Sequence, residues 1–275
     1  MTPTEALAIC EATVRRLDEN RYYATLFASA ENRPLLFALY GFNDELARAG
    51  EMARDPVAAE IRLEWWREAL DGARAGHPPA HPVAIAIAEV IARDREQARE
   101  LEALIDARAI DSTPAPFATL AAMASYARAT SARLMQMAAR LQTAESEPSA
   151  IFDGAGIAYG LVGMLRNLPF HAARGRVFLP SDLLAAESIV AADVFSGKHS
   201  DRLKNVVRQV EDCALAHFRR AKQNRIRRAV LPAILPAALV PAYLASLAGR
   251  ANDRTDILRL RKQLILLRAA FFRRL

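Results

Sequence analysis

Residues 156–184 read GIAYGLVGMLRNLPFHAARGRVFLPSDLL, and the spacing inside this stretch decides what the chain can build. At about 100° per residue, positions 160, 163, 167 and 171 share one helix face, giving a stripe of Gly160, Gly163, Asn167 and His171. Pro169 removes a backbone donor within that helix, so the spacing predicts a kink or stop near Leu168 that carries His171 off the stripe. Outward from this stretch, apolar residues keep recurring at i, i+3, i+4 and i+7, interrupted by Pro- and Gly-bearing pieces such as GARAGHPPAHP and DSTPAP. The pattern predicts an all-α protein, with helices at about 3–18, 20–29, 32–50, 55–74, 80–95, 97–109, 114–142, 147–168, 181–186, 190–196, 199–224, 229–248 and 254–273. Thr4, followed three residues later by Leu7, is a weak cap; Ser112 or Thr113 before Pro114 and Pro116 is a better helix start.

Composition supports this class. With 52% apolar and 25% charged residues in 275 positions, the chain can bury a substantial core. Only 11 glycines are present, without a Gly-rich phosphate loop or closely spaced turn signals, which excludes doubly wound nucleotide folds and β-sandwiches. Cys10 and Cys213 lie far apart with no second ligand at metal spacing, which implies a reduced compartment. The first twenty residues carry acids and no unbroken apolar run, so neither a secretory signal nor an Arg-rich transit peptide is expected, and the expected location is the cytoplasm.

Residues 229–249 read AVLPAILPAALVPAYLASLAG, uncharged and flanked by Arg227, Arg228 and Arg250. The length would span a bilayer, but Pro232, Pro236 and Pro241 break backbone hydrogen bonds and Ala weakens the transfer free energy, so a buried core segment is expected. Within 201–228, nine Lys and Arg stand against Asp201, Glu211 and Asp212, an excess equal to the chain's formal net charge of +6. Arg259, Arg261, Lys262, Arg268, Arg273 and Arg274 follow, beside Leu264, Leu267, Phe271 and Phe272. Two readings stay open: solvated helix faces, or a surface for anionic lipid headgroups. No stacking platform or recognition motif accompanies the charge, so no nucleic acid partner is expected.

Two segments carry a resemblance. DENRYYATLFASAENRPLLFALYGFNDELARAGE at 18–51 with IRLEWWREAL at 61–70, and the 156–184 stretch, above all the LR-x(7)-RGRVFLP run at Leu165–Pro180, resemble the signature regions of the squalene/phytoene synthase family, which joins prenyl diphosphates head to head. The resemblance runs from about residue 18 to about residue 245, and implies a single all-α isoprenoid-synthase bundle, one domain over 1–275, around a deep central cavity. Active members hold Mg²⁺ between a pyrophosphate and two Asp-rich motifs, because the ion takes hard oxygen ligands and the departing charge must be neutralised.

Matched residue by residue, the first motif falls on Ala47, Arg48 and Glu51, leaving one acid beside an Arg. The second falls on Asn167 and His171, and the Gln and Asn that precede it in active members are Gly160 and Gly163 here. No metal ligand set and no catalytic residue is expected, and Mg²⁺ enters only if the chain is an active prenyl transferase. Asp44 and Glu45, adjacent in sequence, point about 100° apart and cannot chelate as a pair. Asp44 reads as a solvated helix residue; the alternative leaves Glu45 and Glu51 at the cavity mouth. Arg166, Arg174, Arg176, Arg33 and Tyr22 match family positions and, with Tyr40, are candidates for the cavity or for gripping an anion, although Arg in a helical bundle also serves as an ion-pair partner.

Gly41-Phe42-Asn43-Asp44-Glu45-Leu46 and Pro169-Phe170-His171 are similar to a non-catalytic branch of that family, the mitochondrial complex I assembly factor. That likeness implies a binding or assembly role near the inner membrane, with a respiratory-complex subunit as a partner. An active squalene- or phytoene-type transferase is the enzyme alternative. A pocket holding an isoprenoid or quinone-like lipid is a third reading. Among the remaining features, His77 and His81 belong to a Pro-rich loop, His199 and His217 are solitary, and one of Trp65 and Trp66 is expected in the core with the other nearer the surface.

Overall fold

The first helix, α1 (Pro3–Leu17), starts at a capping box. The Thr2 hydroxyl accepts from Glu5 N at 3.3 Å, and the Glu5 carboxylate accepts from Thr2 N at 2.8 Å. The cap is therefore Thr2 and not Thr4, because Glu5 three residues on supplies the reciprocal acceptor that Leu7 cannot. The computed structural model describes residues 1–52, 56–115, 117–145, 148–196, 200–224, 226–248 and 257–275. Expectations placed on the Glu51 side chain, Pro116, His199, Arg225 and Arg250 lie outside the described residues.

After α1 come α2 (Glu19–Thr25), α3 (Arg33–Met52), α4 (Pro56–Arg74), α5 (Pro82–Arg93) and α6 (Gln97–Arg108), then α7 (Leu120–Ala127) and α8 (Arg133–Arg140). The second half holds α9 (Ser149–Arg166), α10 (Leu168–Ala172), α11 (Ser181–Ala186), α12 (Ala191–Phe195), α13 (Asp201–Lys222), α14 (Leu231–Ile234), α15 (Val240–Ala248) and α16 (Arg259–Phe272). No strand occurs among the described residues, so the fold is an all-α bundle. One group packs α3 on α1, α5 and α4; another packs α9 on α13, α8 and α7. Their buried side chains form one continuous apolar cluster.

The helix expected over 114–142 starts later and is not regular. The Thr119 hydroxyl caps α7 by accepting from Ala122 N at 3.1 Å, displacing Ser112 and Thr113 from that role. Between α7 and α8 the chain widens into a π-turn, Arg128–Ala132. The reason lies across the interface: Gly156 of α9 sits so close that a Cβ there would stand 2.2 Å from the Ala132 Cα. The small pair lets the two backbones touch, and the wider turn accommodates the contact. Residues 229–248 are not one helix either. A 3-10 turn at Arg228–Val230 leads into α14 and another at Leu235–Leu239 separates α14 from α15, as Pro232, Pro236 and Pro241 require. By length and composition alone, residues 228–247 are long and apolar enough to cross a bilayer, yet 78% of their most apolar 18-residue window, of mean hydropathy 1.9, is buried inside the fold.

Candidate functional site

Four stretches converge on a cavity of about 420 Å³. α3 supplies Asn43, Asp44, Ala47 and Arg48; α9 supplies Tyr159, Gly160, Gly163 and Met164, with Asn167 just past its end. The π-turn region supplies Thr130 and Ser131 after Tyr126, and the chain beyond α9 supplies His171, Arg176 and Phe178. The positions matched to the two acidic motifs, Ala47, Arg48, Asn167 and His171, thus face one another across a single space, along with Gly160 and Gly163. The helix does stop where Pro169 requires, with Asn167 as the junction at φ −87° and ψ 2°. His171 is nevertheless not carried away, which corrects the expectation. α10 resumes immediately, His171 N donates to Asn167 O at 2.9 Å, and the ring lies stacked on Phe178 at 4.2 Å. Burial, reinforced by Arg176 and Arg174, lowers its pKa to about 4, so the imidazole is neutral near pH 7.

Asp44 also faces the cavity, contrary to its reading as a solvated residue. Its Oδ2 is buried without a hydrogen-bond partner. Burial and the nearby Asp18 raise its pKa to about 7 against the opposing pull of Arg21, Arg108 and Arg48. Glu45 turns aside instead and ion-pairs with Arg48 one turn on.

The other cavity carboxylate, Asp111, is 4% exposed and already engaged. Arg108 donates to it at 3.2 Å, to Asn43 Oδ1 at 3.0 Å and to the Tyr126 hydroxyl at 2.9 Å, while that hydroxyl donates to Asp111. Arg176 adds a donor to the Asp111 carbonyl at 3.1 Å. A multi-Mg²⁺ clamp needs several free oxygen ligands. This wall offers one carboxylate locked to a guanidinium, one titrating near neutrality, and Arg48 and Arg108 where cations would have to enter. No group of three or more His, Cys, Asp or Glu with metal geometry occurs among the described residues. The described residues do not fit magnesium; the Glu51 side chain lies outside them.

A second pocket of about 430 Å³ adjoins the first through Leu17, Tyr159, Gly163 and Asn167. Arg15, Arg16, Arg166, Arg259 and Lys262 border it against Asp18 and Glu19. Its polar floor is built across the fold: Tyr243 donates to Asn20 Oδ1 at 3.0 Å, and Asn20 donates to the Tyr159 hydroxyl at 3.0 Å. The Arg166 guanidinium lies 3.8 Å from the Tyr243 ring centre. Arg21, paired with Asp18, lies 5.5 Å from the Tyr40 ring and 5.4 Å from that of Tyr159. The excess of cations over acids makes the joined pockets suited to an anion without a metal.

The remaining candidates lie elsewhere. Arg33 donates to the Leu26 and Ala28 carbonyls at 3.2 Å each, closing the turn before α3. Tyr22 stacks on Phe37, Tyr40 is buried beneath Arg21, and Arg174 covers the Phe170 ring at 3.5 Å on the outside. None of these three is among the cavity-lining residues, nor is Arg33. Arg108, Asp111 and Tyr126 were not singled out in the sequence. The i, i+3 spacing of Arg108 and Asp111 was the one local signal for them.

Comparison with known proteins agrees with this geometry. The squalene/phytoene synthase family model matches residues 14–268. NADH dehydrogenase (ubiquinone) complex I, assembly factor 6, from Bos taurus is 27% identical over 240 residues, covering 87% of this chain and 70% of that protein. Phytoene synthase from Arthrospira platensis is 25% identical over 225 residues, covering 75% of this chain and 71% of that protein. A dehydrosqualene synthase crystal structure superimposes with a TM-score of 0.84 at 14% identity, covering 98% of this chain and 97% of that one, which shows the fold. With the match spanning both signature regions and the cavity between them, the chain belongs to the squalene/phytoene synthase family.

Proposed function

We propose that this chain is a non-catalytic member of its family that acts by binding, as an assembly-factor-like protein near the inner membrane with a respiratory complex I subunit as partner. One observation carries the reading: the four cavity-facing positions matched to the family's acids hold Ala47, Arg48, Asn167 and His171. No magnesium is needed in this role. The cavity serves as a binding pocket, its cationic wall suited to the polar head of an isoprenoid or quinone-like lipid. The likeness to complex I assembly factor 6 supports the partner class. Deleting the chain from its host and resolving respiratory complexes on native gels tests it. Assembled complex I falls and returns with a re-supplied wild-type copy; unchanged complex I overturns the assembly role.

The enzyme alternative, a Mg²⁺-dependent squalene- or phytoene-type transferase, has one observation in its favour. Asp44 presents an unpartnered carboxylate oxygen beside the cavity. A single acid with a pKa near neutrality, facing three arginines, does not assemble the required clamp.

A further inference from the structure

α16 has two opposite faces, one buried around the Lys262–Glu19 ion pair and one exposed and apolar. On the first, Leu266 is 1% and Ala269 7% exposed. On the other, Leu260, Leu264, Leu267 and Phe271 are 67%, 57%, 54% and 81% exposed. At about 100° per residue these four fall within about 60° of arc, a continuous stripe along a helix about 21 Å long. Arg261 and Arg268 flank the stripe on one side; Arg259, on the other, is exposed but ion-paired with Glu19 at 2.7 Å. Beside the helix lies a groove of about 790 Å³, floored by Phe218, Pro241 and Ile265 and rimmed by Lys222, Arg261, Arg268 and Arg274. Among the described residues no Asp or Glu lines it.

We infer that α16 is a membrane-docking helix, lying in the plane of an anionic bilayer with Leu260, Leu264, Leu267 and Phe271 sunk to the edge of the acyl chains and the groove's cations on the lipid phosphates. This deepens the inner-membrane part of the proposed function. The stripe and its flanking charge have the layout an interfacial helix needs: an apolar face at acyl depth and basic side chains at phosphate level. Charge selects the occupant. A second copy meeting this face about a twofold axis would set Arg261 and Arg268 against the same two residues, whereas an anionic leaflet complements them. Lys222 belongs to α13, so the surface joins the charge of that helix to that of α16.

The test is sedimentation of the purified full chain with sucrose-loaded vesicles, either phosphatidylcholine alone or phosphatidylcholine with about one third phosphatidylglycerol. The wild type pellets with the anionic vesicles at low salt, is released at about 1 M salt, where the Debye length is about 3 Å, and stays in solution with the neutral ones. The paired substitutions Leu264→Glu with Leu267→Glu, and Arg261→Glu with Arg268→Glu, each weaken anionic-vesicle binding at least about tenfold. All four residues are exposed, so thermal melts match the wild type. Absence of pelleting, or pelleting that either pair leaves intact, overturns the inference. So does a dimer in sedimentation velocity, without lipid, that Leu267→Glu dissociates. The vesicles contain no respiratory subunit, so failure here is distinct from failure of the assembly role.

Discussion

The Arg108 guanidinium donates to Asp111 at 3.2 Å within the cavity wall, and the same guanidinium reaches Asn43 on α3 at 3.0 Å. A fixed cation thus ties the Asp111 segment and Tyr126 to α3, the helix that carries the positions matched to the first acidic motif. Removing one partner leaves a buried charge without compensation. Arg108→Ala is expected to cost about 3–5 kcal/mol in denaturant unfolding. The double substitution with Asp111→Ala should cost clearly less than the two singles summed, since the pair acts as a unit. Strict additivity would show that the two side chains do not depend on each other.

Two glycines of α9 should respond in opposite directions. A Cβ at Gly156 meets the Ala132 backbone at 2.2 Å, while one at Gly163 meets nothing within 4 Å. Gly156→Ala is expected to lower the melting temperature sharply, because the crossing with the π-turn must open. Gly163→Ala faces the open cavity and should stabilise by about 1 kcal/mol through helix propensity. Equal effects at the two positions would contradict the close crossing.

Acid should act through His171 and Asp44 with opposite signs. The folded His171 has a pKa of about 4, below the ordinary imidazole value of 6.5, so the unfolded chain binds the proton first and stability falls as pH drops through that window. The stability of wild type minus His171→Phe should therefore rise by about 3 kcal/mol between about pH 4 and 6.5, then level off. Asp44 is raised to about 7 from 3.8, so there the folded chain binds the proton first. Wild type minus Asp44→Asn should fall as pH rises across that interval. Unfolding curves at stepped pH check both slopes.

The stripe of residues 160, 163 and 167 was legible in the sequence because helical period alone places side chains on a face; the return of His171 to it was not, because the short α10 that resumes after the Asn167 junction overrides the break that Pro169 announces. Pro232, Pro236 and Pro241 likewise announced a broken, buried segment. The π-turn at Arg128–Ala132 was not legible, since ARATSA carries no local signal for it and the Gly156 contact that accompanies it comes from a distant helix. Asp44 was misjudged for the same reason. Its neighbours Arg21 and Arg108 arrive from other elements, and a helix residue with a polar side chain reads as solvated until they do. The partition of Trp66, 4% exposed, from Trp65, 38% exposed, followed directly from their adjacency on one helix.

Restoring acids alone should not restore a site. Asp introduced at Ala47, Asn167 and His171 would enter a wall that holds Arg48, Arg108 and Arg176, and each new carboxylate has a guanidinium nearby to pair with before a metal. Gly160 leaves little room for a ligating side chain, as its Cβ would stand 3.0 Å from the Ala127 Cβ. The triple substitution is expected to show no Mg²⁺-dependent product from prenyl diphosphates by chromatography. Product from it would mean that the rest of the site had stayed intact.

The most direct test of the non-catalytic reading is incubation of the wild-type chain with farnesyl or geranylgeranyl diphosphate and Mg²⁺, following pyrophosphate release. The account predicts release no faster than in the protein-free control. Mg²⁺-dependent release at even about 0.01 per second, far below ordinary turnover, would contradict it.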